Sequence, residues 1–172
     1  MSKALVLDLN RCVGCGACVV ACQDQNDLFP ERGLPALRRI YQMEGEARSG
    51  VVVQYLSVGC RHCKDSPCMI GCPTGAVYRD EKISAVLVDL DRCIGCHSCA
   101  MACPFGVPRY DAEDLMRKCG LCAGRVKAGL TQACVKACPF KALRYEDLNA
   151  AQGDKEERYL SGVVAGVRQI PG

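Results

Sequence analysis

The chain has 172 residues, a formal net charge of +3, no tryptophan, three phenylalanines and 16 cysteines. That length fits one domain or two small lobes. A cysteine share above roughly 8–10 % sets aside an ordinary globular composition in favour of disulfides or metal ligands. Twenty-two basic against nineteen acidic residues make no nucleic-acid footprint, and no apolar run approaches the ~20 residues that span a bilayer.

The opening MSKALVLDLNRC holds one lysine and one short apolar run. It lacks the long apolar core of a secretory signal and any twin arginine. A reduced, cytoplasmic setting is therefore expected, with membrane association only through a partner, and the thiols read as ligands. Cys12, Cys15, Cys18 and Cys22 follow in RCVGCGACVVACQD. This is C-x2-C-x2-C-x3-C, the run in which bacterial ferredoxins hold a [4Fe–4S] cluster with three cysteines and send the fourth to a neighbouring cluster. Gly14 and Gly16 let the backbone curl close to the sulfurs, and a short helical turn is expected to start near the third cysteine.

Residues 23–59 read as an insertion. DLFPERGLP is a loop; ALRRIYQME, GEARSG and VVVQYLSVG read as strand, turn and strand, a β-hairpin. A docking ribbon and a cover for a lobe edge both suit it. The second cysteine set, Cys60, Cys63, Cys68 and Cys72, lies in CRHCKDSPCMIGCP with a wider middle gap. GAVYRDE then predicts a short strand and SAVLVDLD an alternating one. The third set, Cys93, Cys96, Cys99 and Cys103 in RCIGCHSCAMACPF, repeats the spacing of the first. Residues 105–118 read as a linker. The fourth set, Cys119, Cys122, Cys134 and Cys138, has an eleven-residue gap, Ala123 to Ala133, read as an insertion and a candidate partner surface. Alone it would suit zinc, but Pro139 after Cys138 matches Pro73 and Pro104 after the fourth cysteines of sets two and three. The tail, 149–172, has no cysteine and is read as either a docking segment or a loosely ordered terminus.

The flanks suggest a pairing. Sets two and three are joined as in a two-cluster ferredoxin. CPFKALRYEDL after set four echoes CPTGAVYRDE, and ALVLDLNRC before set one echoes AVLVDLDRC. The end of the chain thus supplies the half that its start lacks. The nested reading assigns Cys12, Cys15, Cys18 and Cys138 to cluster 1; Cys60, Cys63, Cys68 and Cys103 to cluster 2; Cys93, Cys96, Cys99 and Cys72 to cluster 3; and Cys119, Cys122, Cys134 and Cys22 to cluster 4. The alternative pairs sets one with two and three with four. Four thiolate-ligated cubanes, each about −2, would take the formal +3 to about −5, so the basic residues read as compensation for cluster charge. His62 and His97 replace no cysteine and read as surface residues or N–H donors. Arg11, Arg92 and Lys118 immediately precede cysteine sets, either tuning potentials or simply solvated.

CRHCKDSPCMIGCPTGAV and CPFGVPRYDAEDLMRKCGLCAGRVKAGLTQACVKACPFKALRY carry a resemblance to the four-cluster ferredoxin subunits of the DMSO-reductase type, electron-transfer partners of molybdenum and tungsten oxidoreductases. The resemblance covers residues 3 to 147. It implies an α+β fold of two pseudo-symmetric ferredoxin-like lobes. The outer lobe would be 1–22 with 119–148 and the central lobe 60–104, with the nested pairing and iron through all sixteen cysteines. Cys96 stands where some relatives place a tryptophan, so four [4Fe–4S] clusters are implied. The expected role is a non-catalytic relay of single electrons. It would join a Mo- or W-pterin catalytic subunit, such as a tungsten aldehyde oxidoreductase or a formate or hydrogenase-type enzyme, to a flavin or other redox subunit. A free polyferredoxin and an electron-conducting scaffold are the alternatives. No G-x-G-x-x-G follows a strand, so no nucleotide site of its own is expected.

Overall fold

The computed structural model describes residues 3–29, 31, 33–47 and 50–147; the tail expected from 149 onward lies outside them. The element order is β1 (Lys3–Leu7), α1 (Ala17–Gln25), β2 (Arg39–Ala47), β3 (Gly50–Val58), α2 (Pro67–Ile70), β4 (Val77–Asp80), β5 (Ala85–Val88), α3 (Ser98–Ala102), β6 (Arg109–Tyr110), β7 (Met116–Arg117), α4 (Ala123–Lys127), α5 (Ala133–Lys136) and β8 (Leu143–Asp147). The result is an α+β arrangement of small two-stranded antiparallel sheets and short helices.

The first and last strands of the described residues meet. β1 pairs with β8 from Lys3 against Asp147 to Leu7 against Leu143. β4 pairs with β5 from Val77 against Val88 to Asp80 against Ala85. Each sheet is backed by cysteine-bearing helices, and each builds its own core. Cys18, Cys134, Cys138, Ala142 and Leu143 are buried together beside Leu7, Cys12, Val19, Ile40 and Val135. Val77, Val86, Cys99 and Met116 form the second core, with Cys68, Met69, Cys72, Val88, Cys93 and Tyr110 against it. Both cores are thin in aliphatic side chains, and buried cysteines stand where leucines would be in a domain of ordinary composition.

The strands expected at 36–44 and 51–59 are shifted toward each other: β2 and β3 stay paired to Ala47 against Gly50. Gly45, placed in the turn by sequence, lies within the ladder opposite Val52. The apolar run Val51–Val53 is largely exposed on this ribbon, whereas its other end, at Leu56 to Val58, is covered. Residues 105–118 contain the β6–β7 pair. Asp111 organises its turn, accepting the N–H groups of Glu113 and Leu115 at 3.1 and 2.9 Å and the Arg117 Nε–H at 2.7 Å. Among the described residues no helix is long and apolar enough to cross a membrane.

Candidate metal-cluster sites

Each cysteine loop depends on left-handed backbone at set positions. In set one these are Gly14 (φ 69°) and Gly16 (φ 77°), and in set three Gly95 (φ 65°) and His97 (φ 60°). His62 (φ 48°) in set two, and Leu121 (φ 57°) and Cys122 (φ 51°) in set four, adopt the same conformation without being glycine. Non-glycine residues hold it only under constraint. The return is visible at His62 and Leu121, whose backbone N–H groups donate to Cys60 Sγ and Cys119 Sγ, both at 3.4 Å. Sequence reasoning assigned this role to the glycines; the structure extends it to side-chain-bearing residues.

Two cavities gather four cysteines each. One is lined by Cys72, Cys93, Cys96 and Cys99, beside Tyr110 and Met116. The other is lined by Cys22, Cys119, Cys122 and Cys134, beside Arg38 and Gln132. Each combines the last cysteine of one set with the first three of another. Cys12, Cys18 and Cys138 pack in or against the β1–β8 core, whereas Cys15 is exposed. Cys60 and Cys63 open on a wider cleft shared with Arg38, Arg61 and Arg79. Cys68 and Cys103 do not line it, but Cys68 feels the charge of Cys103, and Cys60 that of Cys68. Arg79 holds this loop from β4, donating to Lys64 O at 2.7 Å, to Ser66 Oγ at 3.0 Å and to Cys63 O.

The thiols of the two cavities differ electrostatically. Burial pushes Cys22 up to about 12; Cys119 and Cys134 add to this and Arg38 acts against it. Burial likewise raises Cys122 and Cys134. In the other cavity, burial raises Cys72, but the Val77 N–H and the Thr74 hydroxyl and N–H outweigh it and leave the thiol below its ordinary value. Cys96 is lowered chiefly by the Ser98 hydroxyl.

Iron–thiolate clusters suit this donor set. Four mutually repelling, desolvated thiolates require positive charge in their midst, and soft sulfur ligands select iron–sulfur or zinc. Among the described residues, no three His, Cys, Asp or Glu side chains converge as one metal ion would require; the cysteines stand around a space. Two buried amide and imidazole groups point the same way. Gln132 is 1 % exposed, lines the second cavity, and has no partner for Nε2 or Oε1 among the described residues. His62 accepts the Val86 N–H at Nδ1 at 3.0 Å, which leaves its hydrogen on Nε2, buried and with no partner among the described residues. Burial, reinforced by the Lys118 charge, holds the His62 pKa at about 3, so this imidazole is a neutral donor. Bridging sulfides would accept from such groups.

Several contacts were beyond sequence reading. Ser57 Oγ lies 3.4 Å from Cys18 Sγ and accepts from Arg38 Nη1 at 2.9 Å. Tyr110 OH lies 3.2 Å from Cys99 Sγ, and its ring stacks on His97 with centroids 3.7 Å apart. Lys118 is 7 % exposed, donating to Cys119 O at 3.1 Å and to Val86 O. Its charge lowers Cys60 and Cys68 against their burial. Of the cations preceding cysteine sets, Lys118 is thus built in, whereas Arg11 makes only a loose pair with Asp8 at 3.7 Å.

The 4Fe-4S dicluster domain family matches residues 51–148, and a 4Fe-4S binding domain matches residues 3–24. The sequence is 41 % identical over 174 residues to the B subunit of the anaerobic dimethyl sulfoxide reductase of Escherichia coli K12, covering 96 % of this protein and 80 % of that subunit. The probable anaerobic dimethyl sulfoxide reductase subunit YnfG of the same organism matches with the same identity and coverage. The thiosulfate reductase electron transfer subunit PhsB of Salmonella typhi is 42 % identical over 147 residues, with 84 % of this protein and 76 % of PhsB covered.

Proposed function

Because this protein belongs to the family of 4Fe-4S electron-transfer subunits of oxidoreductase complexes, we propose that it relays single electrons through four [4Fe–4S] clusters. The relay would join a Mo- or W-pterin catalytic subunit to a second redox partner. We assign the clusters to two ferredoxin-like lobes, an outer one of 1–22 with 119–148 and a central one of 60–104. A hairpin in 23–59 is inserted between them, and residues 105–118 join the central lobe to set four. The ligand sets are the nested ones: Cys12, Cys15, Cys18, Cys138; Cys60, Cys63, Cys68, Cys103; Cys93, Cys96, Cys99, Cys72; and Cys119, Cys122, Cys134, Cys22.

The observation that carries this reading is the composition of the two four-cysteine cavities. Cys72 stands with the first three cysteines of set three, and Cys22 with those of set four. The crossing ligand of a ferredoxin pair produces this combination, and pairing set three with set four does not. The β1–β8 ladder supports the same nesting, since it brings Cys12 and Cys138 to one core.

Bound clusters supply one-electron redox chemistry over a wide range of potentials. The chain's own residues shape it. The thiolates hold iron, His62 and Leu121 direct N–H groups at Cys60 and Cys119, and Lys118 places a buried positive charge between the second and fourth sets. All sixteen thiols are committed to iron in this reading, which leaves no free thiol as a nucleophile for substrate chemistry.

Affinity purification from the source organism, with protein mass spectrometry and Fe, S, Mo and W analysis, tests the proposal. The expected result is about sixteen irons per chain and a copurifying pterin enzyme. Zinc with few irons would overturn the cluster reading, and an iron-loaded chain isolated alone would favour a free polyferredoxin.

A further inference from the structure

The cysteine sets account for the metal sites but not for the chemistry of the 23–59 insertion. The inner end of the β2–β3 ribbon is seated on the first cysteine loop. Tyr55 lies against Gly14, where a Cβ would come within 2.4 Å of the ring. Two residues on, Ser57 is 9 % exposed and reaches Cys18. Arg38, immediately before β2, is 4 % exposed, an uncommon burial for a permanent cation. Its seat is shaped for it: a Cβ on Gly59 would stand 3.1 Å from Nη2.

The direction of the hydrogen bonds is dictated by chemistry. A guanidinium has only donors, so Arg38 Nη1 donates and Ser57 Oγ accepts. Ser57 has one hydroxyl hydrogen, and Cys18, as an iron-bound thiolate, can only accept. The Ser57 hydrogen is therefore directed to Cys18 Sγ. Arg38 also lines the cavity of Cys22, Cys119, Cys122 and Cys134, and its charge opposes burial at three of those thiols. One buried cation thus serves two cysteine sets, one directly and one through a hydroxyl.

Resting on the four-cluster reading above, we propose that Arg38 and Ser57 are positioning residues through which the insertion raises the reduction potential of both clusters of the outer lobe. Reduction adds one electron, supplied by the redox partner, to a centre already negative. A hydrogen bond to its sulfur and a cation in a low-dielectric surrounding both stabilise that added charge. Ser57 acts on the cluster of Cys18 alone. Arg38 acts on that cluster by polarising Ser57 and on the cluster of Cys22 by its own field.

The test is a potentiometric titration of the iron-loaded chain, in its native complex, followed by electron paramagnetic resonance. Ser57→Ala is expected to lower one of four couples, by up to about tenfold in the reduction equilibrium, ~59 mV for one electron. Arg38→Gln should lower the two outer-lobe couples most, with a smaller shift at the cluster of Cys60 and Cys63, whose cleft Arg38 also lines, and none at the cluster of Cys99. Ser57→Thr, which keeps the hydroxyl, should restore the wild-type value. Unmoved couples in Ser57→Ala, or a shift in Arg38→Gln confined to the other two, overturn the pair. If Arg38→Gln does not load iron, the Ser57→Ala and Ser57→Thr comparison decides alone. A wild-type chain with fewer than four clusters would instead overturn the proposed function, and it is recognised by iron content before any variant is made.

Discussion

Cys18 and Cys99 are the third cysteines of two sets with identical spacing, and each meets a hydroxyl from a distant segment. The surroundings of those hydroxyls differ. Ser57 is backed by the buried guanidinium of Arg38. Tyr110 is backed by a ring stack on His97, whose side chain is half-exposed and contacts Asp114 at 3.1 Å. Burial, and then its bond to Cys99, raises the Tyr110 pKa, so the phenol keeps its proton and would donate to that sulfur once it is an iron-bound thiolate. Equal cysteine spacing thus builds equal loops but not equal electrostatics. The contrast is set by what packs on the loop: the β2–β3 ribbon on set one, and the β6–β7 pair on set three.

Removing a ligand breaks the comparison most severely. Cys138→Ser is expected to cost the cluster begun at Cys12, and Cys103→Ser the one begun at Cys60. Each should lower iron by up to about four per chain. Iron analysis with spectroscopy of the remaining couples checks both. Loss from set three in Cys138→Ser would replace the nested pairing with the sequential one.

Glycine substitution comes next. A Gly14→Ala side chain would strike Tyr55 within 2.4 Å in a loop already at φ 69°, a combination costing roughly 1–3 kcal/mol. Its thermal midpoint should fall, and hydrogen exchange should rise in β3 near Tyr55. Protection there equal to wild type would detach the ribbon from the first loop. Gly95→Ala meets Asp114 O at 2.9 Å instead, so its loosening should fall on the β6–β7 turn.

These two loops also mark what was legible in sequence. Cubane ligation would impose local spacing, so all sixteen candidate ligands stood out, and the strand at β5 follows from alternation. The donors did not. Ser57 is 39 residues from Cys18, and their meeting depends on where the ribbon docks. β6 and β7 have two residues each, too few for any periodicity to reveal. Lys118 was visible as a basic residue before a cysteine, but Arg11 and Arg92 looked the same; burial separates it from them, and burial is tertiary. The eleven-residue gap of set four showed no pattern because its first turn, α4, is five residues long.

Tyr110→Phe sharpens the comparison at a smaller scale. It removes the phenol at Cys99 while keeping the stack on His97. One couple of the central lobe should fall, by less than the Ser57→Ala shift, because no buried cation polarises the phenol. A larger fall, read in the same titration, would mean that burial of the donor outweighs the charge behind it.

The smallest effect is expected where set four touches the central sheet. Lys127 on α4 pairs with Asp80 on β4 at 2.5 Å. The hydrogen bond from Lys127 holds the Asp80 carboxyl below its ordinary range, and Asp80 holds the Lys127 ammonium above its own. The signs define a window. The depressed carboxyl contributes above its unfolded pKa, about 3.9, and that contribution is lost as pH falls through the folded value. The raised ammonium contributes below about 10.4 and loses its share as pH climbs through its folded value. Exposure of the lysine makes the pair weak and sensitive to salt. Lys127→Ala should therefore lower the thermal midpoint at neutral pH and low salt by much less than Gly14→Ala does, and the difference from wild type should shrink in high salt or below the Asp80 pKa. A difference that persists in high salt would show that α4 is held to β4 by packing rather than by charge.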